Sequence, residues 1–452
     1  MTTTWELHEM DCRLAMGMLM DADSVDSIVC DPPYGLSKEP DMAEVLTHWL
    51  AGDDYTHGGN GFMGRSWDSF VPGPSVWREA YRVLKPGGHL VAFFGTRTYD
   101  LGVLALRLAG FEIRDQLAWV FGSGFPKSHD AAQSIEKLLT TGKARRPDRD
   151  LGGLPRNRFS GSEEGNLIAN TGGSLPLTTP EAAQWQGWGT ALKPAYEPIV
   201  LARKPLVGTV ARNVLSHGTG ALNIDGCRVG TEGEVITATR NIALGSSGSG
   251  VFGAATVPGV YEQKAGGRWP ANLAHDGSPE VLAEFPNTAA SKRATVTSKP
   301  GEVYGGGQGL PAHTGEYGYD EPAGSAARYF YCAKASKSDR NEGLDDLPEQ
   351  PSAASEFRPN HTEGAAAGED GNPYGRWSPV RNTHPTVKPT ALMQWLVRLV
   401  TPPGGLVLDP FTGSGSTGKA AMLEGFSFVG CEMDPDYARI ARLRIDHAVN
   451  SR

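Results

Sequence analysis

Two stretches of this 452-residue chain carry side chains whose types and spacing could do chemistry. The first is Asp31-Pro32-Pro33-Tyr34. Its two prolines fix φ and remove two backbone donors, leaving a stiff turn with a carboxylate, free carbonyls and an aromatic face. Such a turn suits a planar group bearing an NH2, although an ordinary Asp-Pro strand end accounts for these four residues equally well. The second stretch is Asp409-Pro410-Phe411-Thr412-Gly413-Ser414-Gly415, with Glu432 and Asp434 following. Residues 413–419 nearly spell a phosphate loop, but the hydroxyl that should follow the lysine and hold Mg²⁺ is replaced by Ala420. The alternative is a nucleoside cofactor, approached by backbone at Gly413 and Gly415 and held at its ribose hydroxyls by Glu432, about twenty residues on. A cofactor with an uncharged tail, such as S-adenosylmethionine, needs no third glycine and no helix end aimed at pyrophosphate.

The elements that must position these residues are legible around them. Residues 6–11, 25–30 (VDSIVC), 89–94 and 116–121 read as strands, and 13–20, 75–84 and 99–109 as helices, so the first part alternates as a doubly wound, mostly parallel sheet. Residues 25–30 end at Asp31, which places the tetrapeptide at a strand's carboxyl end, where open α/β sheets bind ligands. Near the other end, 391–400 reads as helix, 406–409 as strand, 419–424 as helix and 426–431 as strand. This is a βαβ unit with the glycine turn after its first strand and Glu432 after its second. Between the two lie Gly/Ser-rich stretches (141–180, 229–260, 296–325, 350–380) that read as loops and insertions, with better-formed islands at 196–203 (YEPIVLAR), 268–286 and 326–334 (AARYFYCAK). The last of these reads as a half-buried strand.

Composition narrows the class. Gly 58 and Pro 32 exceed the usual share and fit long loops beside a regular sheet. The five cysteines form no C-x-x-C pair, which argues against structural zinc, an iron–sulfur cluster or a disulfide framework and fits a reducing cytoplasm. No metal is expected, no targeting signal is visible and no stretch approaches the length of a membrane span. A net charge of -9 weighs against nonspecific coating of nucleic acid. A local exception is the run with Lys143, Arg145, Arg146, Arg149, Arg156 and Arg158, which reads either as a solvated loop or as a phosphate-contacting one.

Three motifs in order, Asp31-Pro32-Pro33-Tyr34, His384-Pro385-Thr386-Val387-Lys388-Pro389 and Asp409 to Gly415, resemble the DNA amino-methyltransferases that modify adenine N6 or cytosine N4. With the catalytic tetrapeptide first and the cofactor loop last, the chain is similar to the β group of that family, and residues 267–286 and 329–341 look like segments of phage and prophage members. The resemblance implies a circularly permuted S-adenosylmethionine-dependent methyltransferase fold: a seven-stranded mixed sheet, with residues 196–203 as its antiparallel strand and a loop-rich target-recognition insertion. The expected domains are a catalytic half at 1–130, an insertion at 131–380 with 190–205 returning to the sheet, and a cofactor half at 381–452. It further implies a flipped base in double-stranded DNA, with Asp31, Pro32, Pro33 and Tyr34 catalytic. Cofactor contacts are implied from Asp11, Thr386, Lys388, Asp409, Pro410, Phe411, Gly413, Gly415, Glu432 and Asp434, and in the phosphate-contacting reading of the basic run Lys143, Arg145, Arg146, Arg156 and Arg158 are the candidate DNA-binding residues. Asp31 favours adenine, because cytosine-N4 members more often carry Ser there. Cytosine N4, an RNA or protein amide acceptor, and an inactive DNA-binding subunit stand as alternatives. Carbon-5 methylation is disfavoured, because no cysteine follows a proline. A homodimer and a partner nuclease are compatible with the sequence.

Overall fold

The computed structural model describes residues 3–58, 66–124, 128–142, 176–230, 237–243, 256–262, 267–290, 294–297, 314–317, 323–333, 337–350 and 380–451. The basic run at 143–158 lies outside the described residues. The chain forms two compact units, Met1–Asn223 with Ala333–Arg452, and Ile224–Cys332.

The strands of the first unit are β1 (Trp5–His8), β2 (Val25–Cys30), β3 (Leu84–Phe93), β4 (Glu112–Val120), β5 (Tyr196–Arg203), β6 (Leu406–Asp409) and β7 (Ser427–Cys431). They lie in the order β1-β7-β6-β2-β3-β5-β4. All neighbours run parallel except β5, which is antiparallel to both β3 and β4. Both chain ends thus build one sheet, with residues 196–203 as its antiparallel member. Every residue of β2 is buried, as expected for a central strand covered on both faces.

The longer helices among the described residues are α1 (Cys12–Leu19), α2 (Met42–Ala51), α3 (Pro74–Val83), α4 (Tyr99–Leu108), α5 (Ala131–Thr141), α6 (Val210–His217), α7 (Thr390–Val400), α8 (Ser416–Glu424) and α9 (Pro435–Asn450). α3 starts with Pro74 at its first position and buries Trp77, Ala80 and Val83, one stripe at helical spacing. These join Ile28, Leu90, Phe94 and Leu408 in the main core. From Ser416 through Met422, α8 is buried without interruption between α7 and α9.

Several boundaries differ from the sequence reading. β3 begins at Leu84 rather than residue 89: Leu84 pairs with Val25 and His89 with Ser27, so Lys85-Pro86-Gly87-Gly88 bulges out of a continuing strand instead of ending it. α8 begins at Ser416 rather than 419, because burial overrides the weak helix preference of Ser-Thr-Gly. The described part of 326–334, residues 326–333, is not one strand but a 3-10 turn, Ala326–Tyr329, and a two-residue strand, Tyr331–Cys332. In the second unit, stretches that read as loops contain paired strands: Thr237–Ala243 with Thr256–Glu262, and Ala294–Thr297 with Thr314–Tyr317.

Candidate active site

The site forms where β2, β6, β7 and the start of β5 come together in the first unit. Leu408 is in register with Ile28, and Asp409 with Gly430, so the residues after β2, β6 and β7 emerge side by side. Because β5 runs the opposite way, its first residues, not its last, belong at this edge. The Pro198 carbonyl accepts the N–H of Phe94 at 3.0 Å, fixing Glu197 beside the end of β3.

The turn after Asp31 is held from both sides. Buried Asp68 accepts the N–H of Tyr34 at 2.7 Å and of Gly35 at 3.0 Å, and Thr98 donates its hydroxyl to the Tyr34 carbonyl at 2.6 Å. Lys388 Nζ lies 2.9 Å from Asp31 Oδ2 and 3.1 Å from Glu197 Oε2, and donates to the Tyr34 hydroxyl at 3.0 Å. The Tyr34 hydroxyl donates in turn to Glu197 Oε2 at 3.3 Å. Asp31 Oδ1 is buried and has no hydrogen-bond partner. Burial pulls the Lys388 ammonium toward neutrality, but Asp31 and Glu197 outweigh it and push its pKa up to about 12. Burial, together with the same two carboxylates, holds the Tyr34 hydroxyl well above its ordinary range, so it stays a donor.

The glycine turn is braced by Glu432. Its Oε2 accepts the N–H of Gly413 at 2.7 Å and its Oε1 that of Asp434 at 2.8 Å, leaving each oxygen a further lone pair. Gly413 and Gly415 have φ of 52° and 80°, in the left-handed region where a side chain is strained. A Cβ on Gly413 would come within 2.8 Å of His384 Nε2. Burial drives the Asp409 pKa up to about 7, while hydrogen bonds from Thr417 and the Phe411 N–H oppose it. Burial raises Glu432 as well.

Of the residues singled out from sequence, Asp31, Tyr34 and Lys388 form one cluster, and Phe411, Gly413, Gly415 and Glu432 the adjoining one. Phe411 packs edge-on against Trp77, with ring centroids 5.9 Å apart. Lys388, expected toward the cofactor's methionine end, has its ammonium on the tetrapeptide, and Thr386 is exposed. Asp11 caps α1, accepting the N–H groups of Arg13 and Leu14, and Asp434 caps α9 through those of Asp436 and Tyr437. Sequence reasoning did not single out Glu197 or Asp68, and it named His384 only as the start of a motif, without a role. The signal for Glu197 was available, since an acid opening the antiparallel strand must sit at this edge, whereas Asp68 lies in a stretch with no periodicity to anchor it. His384 is buried, and burial lowers its pKa to about 4, so it is a neutral ring packed on the glycine turn and edge-on to Tyr437.

A mixed sheet of this order, with a glycine turn and an acid after its adjoining strands and an Asp-Pro-Pro-Tyr turn beside them, has the architecture of the S-adenosylmethionine-dependent methyltransferase class. The model of the N6/N4 DNA methylase family matches residues 25–206 and 288–443, well over half of the chain, and the protein belongs to that family of S-adenosylmethionine-dependent DNA methyltransferases. It is 42% identical over 65 residues to DNA adenine methyltransferase YhdJ of Escherichia coli K12, covering 14% of this chain and 22% of that protein. Over 63 residues it is 41% identical to type II methyltransferase M2.DpnII of Streptococcus pneumoniae, covering 14% and 24%. The match thus spans about a quarter of these relatives' length. Among solved structures, the M1.HpyAVI–SAM complex is 14% identical with a TM-score of 0.35, over 98% of this chain and 100% of that one. The PvuII cytosine-N4-specific methyltransferase is 12% identical with a TM-score of 0.41, over 99% and 92%.

Proposed function

We propose that this protein transfers a methyl group from S-adenosylmethionine to the exocyclic N6 of a flipped adenine in double-stranded DNA. The observation that carries the reading is Asp31 Oδ1, a buried acceptor without a partner at the strand end beside the glycine turn. A buried acceptor left unpaired is costly unless a ligand completes it. The amine of adenine is a weak nucleophile because its lone pair is delocalised into the ring. Donation of its two N–H groups to Asp31 Oδ1 and the Pro32 carbonyl lets the nitrogen turn toward sp³ and expose that pair. Tyr34, held at its N–H, carbonyl and hydroxyl, offers its ring for stacking.

The cofactor fits the donor set: Glu432 keeps a lone pair on each oxygen for ribose hydroxyls, and the turn at Gly413 and Gly415 offers backbone unshielded by Cβ. In this reading Asp11, Asp409, Pro410, Phe411, Asp434 and Thr386 are assigned to the cofactor as well. When bound, S-adenosylmethionine supplies an electrophilic sulfonium methyl. Flipping the base costs on the order of a few kcal/mol; in this reading the basic residues between 143 and 158, which lie outside the described residues, are assigned to phosphate contacts that offset it. Incubation with labelled S-adenosylmethionine and a mixture of DNA, RNA and protein, followed by identification of the modified nucleoside, tests the reading. N6-methyladenine in DNA is expected; N4-methylcytosine, or label in RNA or protein alone, would refute it.

A further inference from the structure

The cluster at the tetrapeptide holds more charge than an acceptor for an amine needs. Lys388 brings one ammonium against two carboxylates, Asp31 Oδ2 at 2.9 Å and Glu197 Oε2 at 3.1 Å, and the Tyr34 hydroxyl closes the ring of contacts at 3.0 and 3.3 Å. The Lys388 side chain is 9% exposed, so these interactions are little screened by solvent. With Asp31 alone, Lys388 would cancel the charge of the acceptor it holds. Glu197 restores a net negative charge, and it does so from the start of β5, which reaches this edge because that strand runs antiparallel to β3.

We propose that Glu197 is a positioning residue for methyl transfer: acting through Lys388 it orients Asp31, and as a second carboxylate it keeps the site negative where the attacking amine becomes positive. This rests on the reading of Asp31 as the amine's acceptor. In the transfer the nitrogen lone pair forms the new N–C bond, the C–S bond pair stays on sulfur, and the cationic nitrogen then loses one proton to water. A fixed negative charge beside that nitrogen favours the transition state over the neutral amine, so its removal lowers kcat rather than cofactor affinity. A residue that merely supported the fold would show no such split.

The test compares E197Q, E197D, K388M and the double variant E197Q/K388M, measuring kcat for methyl transfer to DNA and the Kd for S-adenosylmethionine by calorimetry. E197Q is expected to lower kcat by about 10²-fold with cofactor Kd changed less than about twofold. E197D, which keeps the charge, retains most of kcat. The double variant recovers about tenfold over E197Q, because Asp31 is then an unneutralised carboxylate again. Unchanged kcat in E197Q, equal losses in E197D and E197Q, a parallel loss of cofactor binding, or a double variant at the product of the single losses would each overturn the proposal. The assay counts methyl on any nucleoside, so N4-methylcytosine as the product would refute the adenine reading and leave this test standing. Absence of transfer by the unaltered protein would overturn both.

Discussion

Asp339 and Lys419 form an ion pair of 2.6 Å that ties the segment carrying Lys388 to the helix behind the glycine turn. Asp339 also accepts the N–H of Thr390 at 2.7 Å, at the start of α7 and two residues after Lys388. Lys419, in the second turn of α8, reaches Glu342 at 2.7 Å as well. Arg444, fully buried on α9, donates to the Ser414 carbonyl at 2.6 Å and packs its charge on the same network. The lysine of the near-miss phosphate loop is thus 3% exposed and held by two carboxylates. It is part of the frame.

Replacement of Lys419 by Met takes the ammonium away from Asp339, whose side chain is 14% exposed, and leaves that carboxylate beside the half-exposed Glu342. We expect a loss of about 3–5 kcal/mol in urea unfolding, the usual cost of removing one partner of a buried pair. Nucleoside triphosphates with Mg²⁺ should leave the melting temperature of the unaltered protein where it was; an upward shift would revive the phosphate-loop reading.

Asp31 and Glu432 divide the two halves of the reaction between them. Asp31→Ala removes the acceptor and is expected to abolish transfer, by about 10³-fold or more, while cofactor affinity changes little. Glu432→Ala removes both the brace on Gly413 and the acceptor for ribose, and cofactor Kd should rise by about tenfold to a hundredfold, corresponding to roughly 1.5–3 kcal/mol. Calorimetry and single-turnover kinetics on both variants check this, and reversed phenotypes would show the sites exchanged.

Asp409 makes stability depend on pH. Burial raises its carboxyl from 3.8 to about 7, so the folded chain holds that proton more tightly than the unfolded chain. The stability this group contributes is whole below the unfolded value, falls as pH rises through the folded one, and is level above it. Asp409→Asn keeps an acceptor for the Phe411 N–H but cannot ionise. Its melting temperature between about pH 4 and 7 should therefore fall less with rising pH than that of the unaltered protein. Parallel curves would contradict the assignment.

Gly415→Ala tests the turn. At a φ of 80° an added Cβ would lie 2.8 Å from Ala441 Cα, where only backbone could give way. A loss of about 2–4 kcal/mol in denaturant unfolding, with weaker cofactor binding, is expected. Gly52→Ala, also left-handed but with open space around it, should cost no more than about 1–2 kcal/mol and leave binding unchanged.

What the sequence determined was local chemistry and alternation. Asp31-Pro32-Pro33-Tyr34 follows six residues with the length and β-branched content of a buried strand, Glu432 follows another, and residues 196–203 have the strand composition that β5 adopts in full. Those signals are short-range: side-chain period, proline stereochemistry and glycine freedom act within a few residues. Only the tertiary structure decided that Glu197, at the start of an antiparallel strand, meets Lys388, almost two hundred residues later, and that both settle on Asp31. It also decided that Lys85 to Gly88 bulge without ending a strand, that α8 starts three residues early under burial, and that Asp11 and Asp434 spend their carboxylates on helix caps. These outcomes depend on which strand ends lie side by side and how much water is excluded between them. No window of residues contains that information, because sheet order and burial are properties of the assembled chain.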